Sequence, residues 1–354
     1  TPLDIKGNPS VDMVKSASKE VASVLKPGSL VILRSTVMIG TSRSIVLPIL
    51  NKKGIPFNLA FCPERTIEGN ALYELSHLPQ ICGGIDEESS NNAASFFQKI
   101  TSSVLKVSNL ETAEMIKLLD NSYRDLTFAF GNEVAMMCEQ VGLNAIEIIN
   151  AGKLGYDRTN IALPGTVGGP CLSKDPHILN YSMKKYDFVP TLINRGRQIN
   201  ESLAKHAMLT INKFYATQNE PKKIVICGIA FKGQPETDDL RGTPTNSVIK
   251  EIKNRFPKSD IYLHDFACQK IDLESNYEFP AVNIDEAFKQ TDLIIITNNN
   301  RKYTSIDTNH HFNKLNDSSL IYDFWSILTI NKNSNLQKTT YLSFGGNNTN
   351  QEEI

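Results

Sequence analysis

Short apolar runs alternate with amphipathic stretches over the first hundred or so residues. Apolar positions recur at helical spacing over 11–25, and Lys26-Pro27-Gly28 ends that pattern. A second helical pattern covers 42–52. Three compact apolar runs predict strands, at 30–33, 57–61 and 104–107. This alternation is typical of a parallel, doubly wound sheet with helices on both faces.

The hydrophobic period changes at Ser108, which has the spacing of a capping box with Glu111. An unbroken helical pattern follows to about residue 141, longer than a usual crossover helix, and predicts a helical spine or a subunit interface. A short helix and a polar loop are predicted over 143–163. Helical patterns then return near 175–185 and 190–216.

A second α/β unit begins after the linker 218–221. It opens with an apolar strand over 224–230, followed by a polar loop over 231–243. Helices are predicted at 244–254 and 285–289, and further strands at 261–263, 293–297 and 320–323. The asparagine-rich tail over 331–350 is expected to be poorly ordered.

The predicted fold class is therefore α/β, with two Rossmann-like doubly wound domains joined by a long-helix central region. The first domain is expected to lack its N-terminal βαβ half, because 1–4 read as a loop that leaves a strand. The predicted domains are 1–107, 108–217 and 222–345.

Composition and charge narrow the class of protein. The 354 residues are 40% hydrophobic and 21% charged, and the net charge of -1 gives no basic surface for a nucleic acid partner. No apolar run approaches the roughly 20 residues that span a bilayer, so no membrane association is expected. The six cysteines form no Cys-x-x-Cys pair and the histidines do not cluster, which argues against a disulfide framework and a metal site. A reducing cytoplasm is the expected location.

The segment 164–176, Pro-Gly-Thr-Val-Gly-Gly-Pro-Cys-Leu-Ser-Lys-Asp-Pro, carries the sharpest candidate chemistry. Its glycines allow a backbone to approach a bulky ligand, and Cys171 stands at a predicted helix start. Unpaired N–H groups there, the helix dipole and Lys174 would favour the nucleophilic thiolate. Asp175 would share a helix face with the thiol if the helix begins at once. The alternative is a Gly-Pro turn with a buried structural cysteine.

Other candidate groups lie on the long helix, at strand ends and in the later polar loop. Lys117 and Asn121 are four residues apart and therefore neighbours on one side of the helix, where a cation beside an amide could stabilise an oxyanion. The alternative is that both are solvated surface residues. Thr36 and Glu64 follow the first two strands, at the sheet edge where ligands bind. In the loop, Lys232 and Arg241 could bind phosphate or ribose, or could be surface charges.

Several motifs, in this order, resemble the UDP-glucose/GDP-mannose dehydrogenase family, the NAD-dependent nucleotide-sugar 6-dehydrogenases. The similarity extends over nearly the whole chain, to about residue 330. The motifs are Ser35-Thr36-Val37, Pro63-Glu64-Arg65, Ala113-Glu114-Met115-Ile116-Lys117-Leu118 with Asn121, Gly168-Gly169-Pro170-Cys171-Leu172-Ser173-Lys174-Asp175, Ala230-Phe231-Lys232 and Asp239-Leu240-Arg241.

The resemblance implies that a primary alcohol is oxidised to a carboxylate by two NAD molecules, through a thiohemiacetal and a thioester on the cysteine. It assigns the catalytic roles to Cys171, Lys117, Asn121, Asp175, Glu64 and Thr36. It places Thr36, Glu68, Lys174 and Arg241 near the cofactor NAD. It places Arg158, Gly168, Gly169 and Lys232 at a UDP-sugar substrate. The region 158–177 is closer to the N-acetylhexosamine branch than to the UDP-glucose branch, and a homodimer is implied.

Two other functions stay open from the sequence. The Gly-rich turn that binds a dinucleotide should precede Thr1 and is absent, which is compatible with a sugar-nucleotide-binding remnant without redox activity. A β-hydroxyacid dehydrogenase relative would also combine a Rossmann domain with a helical spine, although Cys171 and the second α/β unit argue against it. Two, zero or one NADH per substrate would separate the three functions.

Overall fold

The computed structural model describes residues 1–330 and 338–346, which form two compact units. The first unit comprises Thr1–Arg124 and Lys174–Asn194. The second comprises Asp125–Ser173 and the described residues from Arg195 onward. Within these residues, no helix combines the length and apolarity needed to cross a bilayer.

The helices include those predicted from the amphipathic stretches and four others, over 71–77, 87–97, 270–277 and 308–312, that were not predicted. They are α1 (Asp12–Val24), α2 (Leu47–Asn51, preceded by a π-helical turn at Ser42–Val46), α3 (Ala71–His77), α4 (Glu87–Phe97), α5 (Leu110–Val141), α6 (Ala145–Lys153), α7 (Gly169–Leu172), α8 (Asp175–Lys184), α9 (Thr191–Tyr215), α10 (Thr245–Arg255), α11 (Lys270–Tyr277), α12 (Ile284–Phe288) and α13 (Thr308–Phe312).

The strands form one sheet in each unit. They are β1 (Ser29–Leu33), β2 (Phe57–Phe61), β3 (Gln80–Gly84), β4 (Val104–Val107), β5 (Lys223–Cys227), β6 (Asp260–His264), β7 (Leu293–Ile296), β8 (Ser319–Asp323) and β9 (Thr339–Ser343). The first sheet has the order β1-β2-β3-β4, and the second has the order β6-β5-β7-β8-β9.

The sheet of the first unit is mostly parallel, with one exception. Strands β1 and β2 pair in parallel, as do β3 and β4, but β2 and β3 are antiparallel. Leu59 and Phe61 pack on one face of this sheet and Ala60 and Cys62 on the other, so both faces are covered. The doubly wound α/β class predicted from the sequence is confirmed, and β3 is a strand that the sequence analysis missed.

The sheet of the second unit is parallel throughout and has the doubly wound 2-1-3-4-5 order, with its switch point between β5 and β7. Ile224 and Ile226 point into one apolar cluster, and Val225 and Cys227 into the other. The continuous apolar run of β5 is therefore explained by burial on both faces.

Two local predictions are wrong. Helix α5 begins at Leu110, and the side chain that caps it is Asn109, whose Oδ1 accepts the Thr112 amide at 2.8 Å. Ser108 and Glu111 therefore do not form the predicted capping box. The helical turn that holds Cys171 ends at Leu172, and Asp175 opens a separate helix, so the two do not share a face of one continuous helix.

The predicted disorder of the tail is also wrong for 338–346. Residues Thr339–Ser343 form β9, which pairs in parallel with β8. Gly345, two residues after β9, is hydrogen-bonded to other parts of the unit. Its amide donates to Glu139 Oε1 at 3.0 Å, and its carbonyl accepts the Ala145 amide at 2.7 Å. The rest of the tail lies outside the described residues.

Candidate active site

Cys171 is an exposed thiol in the second unit, held in the short helix α7. Pro170 precedes it in the first turn of that helix, where a missing N–H costs no hydrogen bond. The alternative of a buried structural cysteine is wrong, since the other cysteines of this unit are buried or half-buried while this one is exposed. The thiol is therefore available to a reagent or a substrate.

The glycines before Cys171 are needed for packing within the protein itself. A Cβ on Gly168 would lie 2.5 Å from the Gly242 carbonyl oxygen. Gly169 has a φ of +93°, and a Cβ there would lie 2.4 Å from the Phe231 ring. The Gly169 amide also donates to the Gly242 carbonyl at 2.8 Å. The close approach predicted from these glycines is thus made to 231–242 of the same unit.

The three basic side chains predicted for the second unit lie in different settings. The Lys232 ammonium is 5.3 Å from the centre of the Phe231 ring. The Arg241 guanidinium makes a forked ion pair with Asp239, with Nη2 to Oδ2 at 2.7 Å, and three quarters of its side chain is exposed. Arg158 is exposed and stacks over the Tyr156 ring at 4.7 Å. Lys232 and Arg241 share the loop that receives the Gly168-Gly169 turn.

A cavity of about 390 Å³ opens beside this turn in the second unit. Its lining includes Gly168, Ser173, Arg197, Glu201 and Thr243. Arg197 and its buried partners were not anticipated from the sequence. The sequence does contain a signal for this buried polar group. Polar residues at 197 and 200 interrupt the apolar face of α9, which continues with apolar residues at 203, 204 and 207.

In the first unit, Asn121 and Asp175 form a buried hydrogen bond. Asn121 Nδ2 donates to Asp175 Oδ2 at 2.5 Å, and Lys174 Nζ lies 2.6 Å from Asp175 Oδ1. Asp175 is fully buried, and Asn121 and Lys117 are 5% and 8% exposed. The alternative that Lys117 and Asn121 are solvated surface residues is therefore wrong. A buried carboxylate is acceptable here because it has a cation and an amide as partners.

Glu64 lies just beyond the carboxyl end of β2 and is held by Arg34. The Arg34 guanidinium donates to Glu64 Oε2 at 2.6 and 3.2 Å, and the Thr66 amide donates to Oε1 at 3.0 Å. Burial raises the pKa of the Glu64 carboxyl, but these hydrogen bonds outweigh it and keep the pKa below its ordinary value. Glu64 is accordingly a carboxylate at neutral pH.

Two further predicted residues, Thr36 and Glu68, follow β1 and β2 in the chain. Thr36 follows β1 and is half-buried, and its carbonyl accepts a hydrogen bond from the Thr1 hydroxyl. Glu68 is exposed in the turn that precedes α3. The parallel register of β1 and β2 places Thr36 and Glu64 each three residues past a strand end, which matches the predicted ligand edge.

Comparison with known proteins identifies the family. Three domain models of the UDP-glucose/GDP-mannose dehydrogenase family match the chain in order. The NAD-binding domain matches residues 1–101, the central domain 111–202 and the UDP-binding domain 225–330. The enzyme class of nucleotide-sugar dehydrogenases and the cofactor NAD, both predicted from the sequence, are confirmed at the level of the family.

The curated relatives carry one recurring name. UDP-N-acetyl-D-mannosamine dehydrogenase of Methanocaldococcus jannaschii is 30% identical over 311 residues, which cover 86% of this chain and 68% of that protein. The protein of the same name from Pyrococcus horikoshii is 34% identical over 262 residues, covering 72% and 61%. The chain thus spans about two thirds of the length of these relatives.

The solved structures agree with this result. A structure of the UDP-D-ManNAc dehydrogenase from Pyrococcus horikoshii superposes with a TM-score of 0.86 at 27% identity, over 98% of this chain and 80% of that one. A UDP-glucose dehydrogenase from Pyrobaculum islandicum, at 19% identity, shares the fold with a TM-score of 0.83 over 98% and 78%. The chain belongs to the UDP-glucose/GDP-mannose dehydrogenase family.

Proposed function

We propose that this chain oxidises the C6 hydroxyl of a UDP-N-acetylhexosamine, with UDP-N-acetyl-D-mannosamine as the first candidate, to the uronic acid with two NAD. The observation that carries the proposal is the buried pair of Asn121 and Asp175, with the half-buried Lys174 beside Asp175 and the buried Lys117 one turn earlier on α5. The names of the curated relatives support the sugar.

The proposed reaction balances over two oxidations and one hydrolysis. The alcohol loses a hydride from C6 and a proton from oxygen to give an aldehyde. The Cys171 thiolate adds to the aldehyde carbon, and the resulting thiohemiacetal loses a second hydride to give a thioester. Water then cleaves the carbon–sulfur bond, which releases the carboxylate and returns the thiol. When bound, NAD supplies the acceptor for each of the two hydrides.

The buried groups of the first unit suit the oxygen chemistry of this sequence. In the proposal Lys117 and Asn121 stabilise the oxygen at C6 as negative charge develops on it. Asp175 accepts the Asn121 amide and so fixes which way that amide points. Asp175 also faces Lys174, and in the proposal its carboxylate receives a proton from the attacking water.

Glu64 and Thr36 are proposed to order the hydrolytic water. Their place at the carboxyl ends of adjacent parallel strands is where doubly wound sheets bind dinucleotides, so the residues present at this edge fit NAD. Glu68, Lys174 and Arg241 are proposed to contact the cofactor. Arg241 offers a planar guanidinium of the kind that binds phosphate, although in this structure Asp239 engages it.

The UDP-sugar is proposed to bind through Arg158, Gly168, Gly169 and Lys232. The switch point between β5 and β7 supports a nucleotide site in this unit, since open α/β sheets bind ligands there. Lys232 follows β5 by five residues and lies at the carboxyl edge of that sheet. The Gly168-Gly169 turn packs on the same loop, so both can belong to one substrate surface.

The domain roles, assembly and location are proposed on separate grounds. We assign 1–107 to NAD binding, 108–217 to the central domain and 222–345 to UDP-sugar binding, which the matched family ranges support. A homodimer is supported by the exposed apolar side chains of Phe130, Met137 and Val141, which recur along α5 at spacings of seven and four residues. The six free cysteines support a reducing cytoplasm.

The experiment is a single-turnover and steady-state assay with UDP-N-acetyl-D-mannosamine and NAD. Cys171→Ser is expected to reduce uronic acid formation by at least about a thousandfold, because a serine hydroxyl is a far weaker nucleophile toward an aldehyde than a cysteine thiolate and cannot form a thiohemiacetal or a thioester. Cys268→Ser is the matched control, since Cys268 is half-buried in the same unit and has no proposed role. Uronic acid, NADH and the melting temperature are measured together.

Wild-type-like uronic acid production by the Cys171 variant would reject the thioester route. The NADH count separates the other functions, since two per sugar fit the proposal, one fits a β-hydroxyacid dehydrogenase type and none fits a binding remnant. A panel with UDP-glucose and UDP-N-acetyl-D-galactosamine then identifies the preferred sugar by kcat/KM.

A further inference from the structure

A buried polar network lies directly behind the Cys171 turn in the second unit. The Arg197 guanidinium is 3% exposed and donates from Nη1 to the Leu172 carbonyl at 3.0 Å and from Nη2 to the Val167 carbonyl at 3.3 Å. These two carbonyls flank the segment 168–171. One side chain therefore holds both ends of the turn that carries the thiol.

Arg197 is itself held in place by Asp125. Nη1 donates to Asp125 Oδ1 at 2.6 Å, and Asp125 is 1% exposed. Asn200 Nδ2 donates to both the Asp125 carboxylate and the Asp125 carbonyl at 2.9 Å. A buried arginine with a forked set of partners has little rotational freedom, so its two bonds to the turn have a fixed direction.

The network also reaches the start of the glycine-rich segment. Asn132 Nδ2 donates to Asn200 Oδ1 at 2.8 Å, and the Gly165 amide donates to Asn132 Oδ1 at 2.8 Å. Asn132 and Asn200 are fully or almost fully buried. Hydrogen bonds thus connect Gly165 to Leu172 through side chains of α5 and α9 within this unit.

Close packing of α9 against the α5 residues of this unit makes the network possible. A Cβ on Gly196 would lie 2.9 Å from Leu126 Cδ1 and 3.4 Å from the Ala129 Cβ. Glycine at 196 therefore lets the neighbouring Arg197 reach across to Asp125. The Arg197 Nε is 3.2 Å from Glu201 Oε1 without the alignment of a hydrogen bond, so the ordered contacts of this guanidinium are those to Asp125 and the turn.

We propose that Arg197, supported by Asp125, Asn132 and Asn200, is a positioning residue that sets the conformation of the Cys171 turn. The proposal rests on the proposed role of Cys171 as nucleophile. A nucleophile must be held near the attack geometry, and small displacements of such a group lower the rate sharply. The network fixes the backbone on both sides of the thiol and leaves the thiol exposed.

The test replaces Arg197 with lysine in the full chain. Lysine keeps the charge beside Asp125 but lacks the planar fork that reaches two carbonyls at once. Arg195→Gln is the matched control, because Arg195 lies on the same helix, is exposed and donates to Gln198. Amide hydrogen exchange of the peptide over 165–174 and of the β5 strand is measured in each variant, together with kcat and KM for the UDP-sugar.

In Arg197→Lys, we expect the amides of 165–174 to exchange at least about tenfold faster, while exchange in β5 is unchanged. We also expect kcat to fall at least about tenfold, while KM changes less than about threefold. If Arg197→Lys does not fold, Asn200→Ser is measured in its place, and we expect a smaller increase in the exchange rate of the same peptide. Equal exchange in variant and wild type, or faster exchange everywhere, overturns the proposal. The exchange result does not depend on turnover, so a failed assay of Cys171 chemistry leaves it readable.

Discussion

The two sheets differ in strand order and in how deeply individual strands are buried. Every residue of β1 in the first unit is partly exposed, whereas every residue of β7 and β8 in the second is buried. The second unit also has the larger apolar clusters, on both faces of its sheet. The edge strand β1 is therefore less well covered than the central strands β7 and β8, although β3 of the first unit is fully buried as well.

This difference shows where each unit can place functional polar groups. In the first unit, Glu64 is held at a strand end by the half-exposed Arg34. In the second, Arg197 and Asp125 hold the Cys171 turn from a site that is almost fully buried. Buried pairs keep their geometry better than exposed ones, because water does not compete for their hydrogen bonds.

The strongest test of this difference in burial is to make the same substitution, isoleucine to alanine, in β7 and in β1. Ile295→Ala in β7 removes a fully buried side chain and is expected to lower the free energy of unfolding by about 4 kcal/mol. Ile32→Ala in β1, which is partly exposed, is expected to cost about 1 to 2 kcal/mol. Urea denaturation, with hydrogen exchange to assign each transition to a unit, measures both. Equal losses would contradict the difference in burial.

The second unit should also be the more sensitive to mild acid, because of His264. Burial lowers the pKa of His264 from 6.5 to about 4, although Asp265 opposes the shift, and the ring is hydrogen-bonded to the Tyr303 hydroxyl at 2.9 Å. The unfolded chain binds the proton between those two values and the folded one does not, so stability falls as pH drops from 6.5 to 4. The loss is on the order of 3 kcal/mol.

Thermal or urea unfolding across this pH range measures the loss, and His264→Gln is the comparison. Glutamine can keep a hydrogen bond to Tyr303 but does not titrate, so its stability should depend less on pH in that window. An unchanged slope would mean that another group is responsible for the acid sensitivity.

The smallest expected effect concerns the start of α5 in the first unit. Asn109→Ala removes the cap of this helix and is expected to cost about 1 kcal/mol. Ser108→Ala is the matched control and should cost much less, because the Ser108 hydroxyl is hydrogen-bonded to the Thr112 hydroxyl and not to a backbone amide of the helix start among the described residues. Denaturation midpoints compare the two, and a larger loss for Ser108→Ala would restore the capping box predicted from the sequence.

The sequence predicted those elements whose own residues have a strong period. Strands β1, β2, β5 and β7 are apolar runs, and α5 and α9 are long amphipathic patterns. Strand β3 was missed because Gln80–Gly84 holds two glycines and only two large or medium apolar side chains. Strand β9 was missed because it lies in an asparagine-rich tail, and its order depends on pairing with β8 and on the packing of Leu342 in an apolar cluster of the unit.

In the candidate site, only the residues that belong to family motifs could be predicted from the sequence. The resemblance singled out Lys117, Asn121 and Asp175, and the structure adds that they are buried and that the last two are hydrogen-bonded. It did not single out Arg197 or Asp125. Polar positions 197 and 200 on the apolar face of α9 indicate a buried polar group, but the partner Asp125 depends on how two helices meet and has no local signal in the sequence.

The first unit takes its last helix, α8, from a distant part of the chain, and this affects biosynthesis. Asn121 leaves the ribosome 54 residues before Asp175, the carboxylate that it contacts. At translation rates of roughly 5 to 20 residues per second, the nascent amide waits about 3 to 11 seconds for that partner. A substantial part of the second unit is translated in this interval, so the two units are assembled from interleaved polypeptide rather than one after the other.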